Sequence, residues 1–330
     1  MPTIFSSLLP VVILISVGIF AGQRKWVSPS GAKELAELAF MVLTPALLFR
    51  TMSQVNIDDL DIAPVALYFG VAIVLFFLLL FIQGVNRKSV VLSLAATFSN
   101  TVMIGIPLVS LAFGPAGLVY LLTLISMHVL ILLTIATVVL EFTAMKEEIA
   151  TTGQSGFTVS KIFQVIRNSL LHPIPLPILV GLFFSYMEWQ IPQVLDQPIA
   201  WMGSAFAPLA LLMVGISLHG VLVGFQKSNH GHQGGDQLIL RSAIWVAVLK
   251  NLVHPLLVLL VGYFLNLQDL AFSVMVLAAA MPVGANVFMF SQRYKVAQEE
   301  ITMGVMLTTL SALITLPLIM GLLTWVQSLP

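Results

Sequence analysis

The chain has 330 residues, of which 59% are hydrophobic and only 8% charged, with a formal net charge of zero. Soluble proteins carry roughly 25% charged residues because those side chains cover their surface, so this chain needs a bilayer as solvent. That excludes a soluble enzyme, a nucleic-acid binder and a disordered chain. There is no cysteine, which also excludes disulfides, thiolate chemistry and cysteine metal sites.

Helices are the expected spans, because no segment alternates with period two. Apolar segments of the length a crossing requires lie at 3–22, 34–53, 62–83, 90–112, 116–143, 165–187, 197–220, 238–265, 270–291 and 299–327. The first has no basic residue before it and is followed by Arg24 and Lys25, the charge order of a first span with an outer N-terminus, not of a cleavable signal. The odd-numbered loops collect Arg24, Lys25, Lys33, Arg87, Lys88, Lys146, Lys161, Arg167, Lys227, Arg241, Arg293 and Lys295; the even ones hold acids such as Asp58, Asp59, Asp61, Asp196 and Asp269. The positive-inside rule then puts the odd loops in the cytoplasm and both termini outside. The expected location is a bacterial inner membrane, crossed many times.

The chain repeats itself. Pro10 and Pro173, Gly18 and Gly181, Pro45 and Pro208, and Leu48 and Leu211 are each 163 residues apart; Leu94-Ala95-Ala96 and Leu277-Ala278-Ala279 are 183 apart. The difference fits the longer polar loop near Gln226–Gln237. The expected fold is therefore an all-α polytopic membrane protein with ten transmembrane helices in two inverted five-helix repeats, an architecture typical of secondary transporters. The repeats are expected at 1–145 and 165–330, with a cytoplasmic linker at 146–164.

Spans four and nine break at the same place in their halves. One reads Phe98-Ser99-Asn100-Thr101-Val102-Met103-Ile104-Gly105-Ile106-Pro107, the other Ala280-Met281-Pro282-Val283-Gly284-Ala285-Asn286. Proline removes a backbone donor, and glycine tolerates the unwound geometry that results. Unwound backbone at this depth must line a cavity or be buried in protein, and half-helix N-termini attract anions. Asn100 and Asn286 can add side-chain amides to such a pocket; the plainer reading is two proline kinks with packed asparagines.

Ionisable residues inside spans are costly and usually functional. Lys250, near the middle of span eight, is expected to attract an anionic substrate or to act as an internal cation for a nearby helix C-terminus. His254, one turn later, and His128, in span five, are candidates for proton or ion coupling; a packed, hydrogen-bonded imidazole is the plainer reading of each. Arg50 and Glu141 lie near span ends, where interfacial roles suffice. His230 and His232 fall in a polar loop read as a linker. No span carries two carboxylates away from its ends, so an aspartyl intramembrane protease is not expected, and neither a metal nor a cofactor is implied.

The stretch Phe98-Ser99-Asn100-Thr101 … Gly105-Ile106-Pro107-Leu108, with Leu249-Lys250-Asn251-Leu252-Val253-His254-Pro255 and Met281-Pro282 … Asn286, resembles the auxin efflux carrier family, in length its bacterial malonate- or malate-permease branch. The resemblance covers essentially the whole chain. It implies that helices four and nine cross in a transport domain, with Pro107, Pro282 and Gly284 at the crossover. Asn100, Thr101, Gly105 and Asn286 then line the substrate site with Lys250, and spans one, two, six and seven form a scaffold through which such transporters often pair as homodimers. The fifth loop, about Lys146 to Lys161, lacks the length of the regulatory loop of the plant exporters.

The expectation is a secondary transporter moving small organic anions, in particular carboxylates, by alternating access, with H⁺ or Na⁺ as coupling ion if any. Na⁺-dependent binding would favour a bile-acid-type symporter instead, and binding without flux a membrane receptor.

Overall fold

A computed structural model describes residues 2–54, 62–152, 175–228 and 235–328, helical throughout apart from turns and one isolated antiparallel bridge. In chain order the helices are α1 Pro2–Gln23, α2 Pro29–Leu38, α3 Thr44–Ser53, α4 Ala63–Gln83, α5 Arg87–Thr97, α6 Ile106–His128 and α7 Thr134–Thr152, then α8 Pro175–Tyr186, α9 Gln193–Ser228, α10 Gly235–Val248, α11 His254–Phe264, α12 Leu270–Ala280, α13 Ala285–Tyr294 and α14 Gln298–Gln327. π-turns at Ala39–Leu43, Thr101–Gly105, Val129–Leu133 and Leu249–Val253 join or precede them. Three of these end two residues before a proline, at Pro45, Pro107 and Pro255. Proline cannot donate to the preceding turn and its ring clashes there; a wider turn is one way the helix accommodates both.

Among the described residues, six helical runs are long and apolar enough to cross a membrane: Ser30–Ser53, Ala63–Gln83, Thr101–Thr143, Gln193–Gly220, Gln237–Phe264 and Gln298–Gln327. Five of them coincide with expected spans two, three, seven, eight and ten. The sixth run joins the end of span four to span five, because the helix continues through a sharp bend at Gly114 (φ 65°, ψ −160°) before Pro115. Shorter apolar helices, Ile13–Gln23, Leu176–Tyr186 and Leu270–Ala280, fall in spans one, six and nine. Residues 146–152 of the expected linker continue α7; its remaining residues lie outside the described ones, as do His230 and His232.

Spans four and nine are interrupted in the same way. Helices α5 and α12 have eleven residues each and are displaced by 183 positions. Asn86 caps α5, its Oδ1 accepting from Ser89 N at 3.0 Å, and Asp269 caps α12, its Oδ1 accepting from Phe272 N at 2.7 Å. Residues 271–280 of α12 are all buried, and so are 93–97 of α5. A helix that is apolar all round belongs inside the protein. By contrast, α4 turns Phe81 (82% exposed) and Ile82 (68%) outward, as a lipid-facing helix does.

Two groups of helices result. In one, α1 packs along α9 and α3 packs against both α8 and α9; in the other, α4, α6, α11 and α14 surround α12, with α5 packed on α4, α10 on α14, and α13 beside α14. Close approach in the first group depends on glycine. A Cβ on Gly18 would collide with Leu212 O and lie 3.0 Å from Gly215 Cα; a Cβ on Gly181 would lie 2.6 Å from Phe49 O and 2.9 Å from Met52 Cβ. These contacts correspond under the 163-residue displacement: Gly18 to Gly181, Leu212 to Phe49, Gly215 to Met52. Small residues are what allow membrane helices to approach so closely. At one end of this group Arg50 of α3 forms a two-pronged ion pair with Asp196 of α9, Nε to Oδ1 at 2.7 Å and a terminal nitrogen to Oδ2 at 3.0 Å, so Arg50 holds helix to helix.

Candidate functional site

Helix α5 stops where Phe98 becomes extended (φ −94°, ψ 113°), and α12 stops where Met281 does (φ −67°, ψ 151°). The two unwound stretches cross. Asn100 N donates to Pro282 O at 2.8 Å and Gly284 N donates to Phe98 O at 3.0 Å, pairing Ser99 with Val283 in an antiparallel bridge. Val283 N donates to Thr308 Oγ1 of α14 at 3.2 Å. Polar backbone without water must find internal partners, and these bonds supply them.

The expected site residues divide around this crossing. Asn100 is the N-cap of the π-turn Thr101–Gly105, its Oδ1 accepting from Met103 N at 3.3 Å. Asn286 is the second residue of α13 and half-buried. Each asparagine thus stands in the first turn after its break, where N–H groups lack helical partners. Thr101 opens the π-turn and is buried. Gly105 faces the other broken span: a Cβ there would lie 2.8 Å from Met281 Sδ. Pro282 and Gly284 are at the crossing, but Pro107 is not. It lies seven residues beyond Asn100, in the first turn of α6, and the crossing residue of span four is Ser99. The expectation took proline as the breaking residue in both halves, whereas span four unwinds ahead of its proline.

At Gly284 a Cβ would lie 2.7 Å from Phe98 Cδ1 and 3.0 Å from Ser99 O. Gly284→Ala is therefore expected to push the two stretches apart, at about 1–3 kcal/mol for overpacking. A lowered melting temperature is the expected result; a variant with wild-type stability would show that the crossing is not tight.

Lys250 is fully buried in the π-turn Leu249–Val253, and its Nζ donates to Ala279 O at 2.5 Å, in the last turn of α12. Ala279 O is one of the carbonyls at the C-terminal end of α12, where the helix dipole is negative. His254 is also fully buried, and among the described residues neither ring nitrogen has a hydrogen-bond partner. Its ring centroid is 5.3 Å from that of Tyr68. His128 Nε2 lies 3.3 Å from Tyr68 Oη, which lies 3.1 Å from Ser99 Oγ. The His128 ring stacks on Phe98 at 4.2 Å. Both histidines thus sit beside the crossing, with Tyr68 between them.

Tyr68, Asn251 and Thr308 were not singled out by the sequence. Tyr68 does carry a signal, as the one polar side chain within an apolar stretch that runs from Ala63 to Ile82. Asn251 and Thr308 look like ordinary small polar residues until the fold joins them. Among the described residues no three His, Asp or Glu side chains are grouped to hold a metal ion. Between the two helix groups lies an apolar cavity of about 40 Å³ lined by Ile15, Ile104, Leu108, Val214, Leu218 and Thr309, among others.

Residues 3–320 match the model of a family described as membrane transport protein. Curated relatives include the lysosomal cholesterol signaling protein of Mus musculus, 24% identical over 93% of this chain but only 36% of its own length. Auxin efflux carrier component 8 of Arabidopsis thaliana is 21% identical over 94% of this chain and 95% of its own. A protein named "Putative malonate transporter" in Rhizobium meliloti (strain 1021) is 25% identical over 86% and 83%. The chain spans about a third of the mouse protein and nearly all of the plant one.

Proposed function

The chain belongs to the membrane transport protein family, and from that premise we propose that it is a secondary transporter for small organic anions, carboxylates in particular, working by alternating access. It is an integral, multi-pass transport protein and not an enzyme. The observation that carries the proposal is the crossing of two interrupted helices, bonded through Asn100 N to Pro282 O and Gly284 N to Phe98 O. Helices resume at Thr101 and Ala285, so two positive helix ends meet in the protein interior, where an anion gains most from them. Asn100, Thr101 and Asn286 are the side chains assigned to the anion. Lys250, bonded to Ala279 O, offsets the opposing negative end of α12 and favours the anion through its field. Among the described span residues around it no carboxylate is hydrogen-bonded to Lys250.

The proposed architecture is ten spans in two inverted repeats, 1–145 and 165–330, in a bacterial inner membrane with both termini outside. Matched helices α5 and α12 support it, as do the glycine contacts repeated at 163 residues. In this reading α1, α3, α8 and α9 are the scaffold, which also offers a homodimer face, and the helices around α12 move against it. Passage of a substrate is assigned to that movement, along the seam lined by Ile15, Ile104, Leu108 and Val214. A cytoplasm-negative potential favours anion export by about 2.3 kcal/mol per charge per 100 mV. Export can therefore run uncoupled, while import needs H⁺ or Na⁺, for which His254, with two unpartnered nitrogens, is the first residue to test.

Thermal shift of the purified protein against mono- and dicarboxylates, malonate and indole-3-acetate among them, tests the substrate class. Stabilisation by one acid class and not by the matching amides is the expected result. Equal stabilisation by acid and amide would remove the anion from the proposal.

A further inference from the structure

The break in span nine is held from both edges by one turn of span eight. The π-turn Leu249–Val253 is wider than an α-turn, and its two consecutive polar side chains reach different helices. Lys250 donates to Ala279 O, just upstream of Met281-Pro282. Asn251 Nδ2 donates to Thr308 O at 2.7 Å and to Ser311 Oγ at 2.8 Å, both in α14. Thr308 Oγ1 completes the path. It donates back to Gly304 O at 2.8 Å within its own helix and accepts from Val283 N, just downstream of Pro282. Lys250, Asn251, Thr308 and Val283 are all buried, at 1% exposure or less.

We infer that this π-turn is a clamp on the crossing, with Asn251 and Thr308 as positioning residues that set where the span-nine backbone meets span four. Val283 N is a buried backbone donor outside any helix, and the hydroxyl of Thr308 is its partner. Without that hydroxyl the amide must find another acceptor or shift. A shift at Val283 moves its neighbours Pro282 and Gly284, the two residues that bond to Asn100 and Phe98. Asn251 in turn fixes the stretch of α14 that carries Thr308. Helices α11, α12 and α14 therefore carry the break as one body. The effect expected on anion binding rests on the proposed function; the clamp itself does not.

Thr308→Val replaces the hydroxyl by a methyl of similar size, and Thr308→Ser keeps the hydroxyl. Hydrogen–deuterium exchange of the full-length protein in detergent reads the Val283 amide directly. Malonate affinity, measured by calorimetry, reads the site. In Thr308→Val the Val283 amide should exchange about tenfold faster and malonate bind about tenfold more weakly, the scale of one lost hydrogen bond, while Thr308→Ser stays near wild type in both. Unchanged Val283 protection in Thr308→Val, or equal loss in Val and Ser variants, would overturn the clamp. If wild type does not bind malonate, that arm counts against the substrate and the exchange arm still decides the clamp. Should Thr308→Val not fold, Asn251→Leu carries the same exchange comparison, with faster exchange at Val283 expected and wild-type protection overturning it.

Discussion

Lys250→Met should weaken anion binding roughly 100-fold while leaving the protein folded. The side chain is a fully buried amine with a carbonyl partner at Ala279. Burying a charge costs several kcal/mol, and replacing it by an apolar chain of similar length is often neutral or stabilising. What is lost is one charge-assisted hydrogen bond, about 1.5–3 kcal/mol. These opposing terms leave the melting temperature within a few degrees of wild type. Binding has no such compensation. Without the amine, the negative end of α12 faces the crossing unopposed, and affinity should fall by about 2–3 kcal/mol, roughly 100-fold. Thermal shift and calorimetry on the same preparation separate the two effects. Wild-type affinity in Lys250→Met would end the role of Lys250 in anion binding, and collapse of the fold would make it a structural residue first.

Gly18→Ala and Gly181→Ala should both lower stability, and by similar amounts. At Gly18 the new methyl meets Leu212 O and the backbone of Gly215; at Gly181 it meets Phe49 O and Met52 Cβ. In each case the obstacle includes backbone, which has no rotamer to change. The helices must separate, at about 1–3 kcal/mol, or roughly 1–5 °C in melting temperature. Gly321→Ala is the control, since nothing lies within 4 Å of a Cβ there, and alanine's better helix propensity makes it neutral or slightly stabilising. Matched losses are what a scaffold built twice from one unit requires. A loss at only one of the pair would count against the repeat, and tolerance at both would show that the helices are not in close contact.

Much of this was legible in the residues. The apolar segments mark most of the helices. Gly18 and Gly181 lie 163 residues apart, and the residues a Cβ would meet there, Leu212 and Gly215 against Phe49 and Met52, are displaced by the same number. The breaks were legible too, because Gly, Pro and Asn cluster where an uninterrupted span has no use for them. What the sequence did not locate is which residue of a cluster the backbone uses. Span four unwinds at Ser99, not at Pro107, because the π-turn Thr101–Gly105 absorbs the proline's missing donor inside the helix. A π-turn also shifts the facing of residues after it, so helical spacing alone could not say that Lys250 reaches α12 while Asn251 reaches α14. Thr308 was invisible for a different reason. Threonines in helices usually bond their own backbone, as this one does to Gly304 O, and only the folded chain brings Val283 N to the same oxygen.

In the proposed mechanism an anion moves through a crossing made electropositive by two helix ends and one buried lysine. Charge movement in proteoliposomes on a solid-supported membrane tests it most directly. Mono- and dicarboxylates and indole-3-acetate would be applied with and without Na⁺ and a pH gradient, with Lys250→Met beside wild type. The account predicts a saturable current for one class of acid, absent from the variant. An equal current in Lys250→Met, or silence with every acid while labelled acid also fails to enter the vesicles, would contradict it.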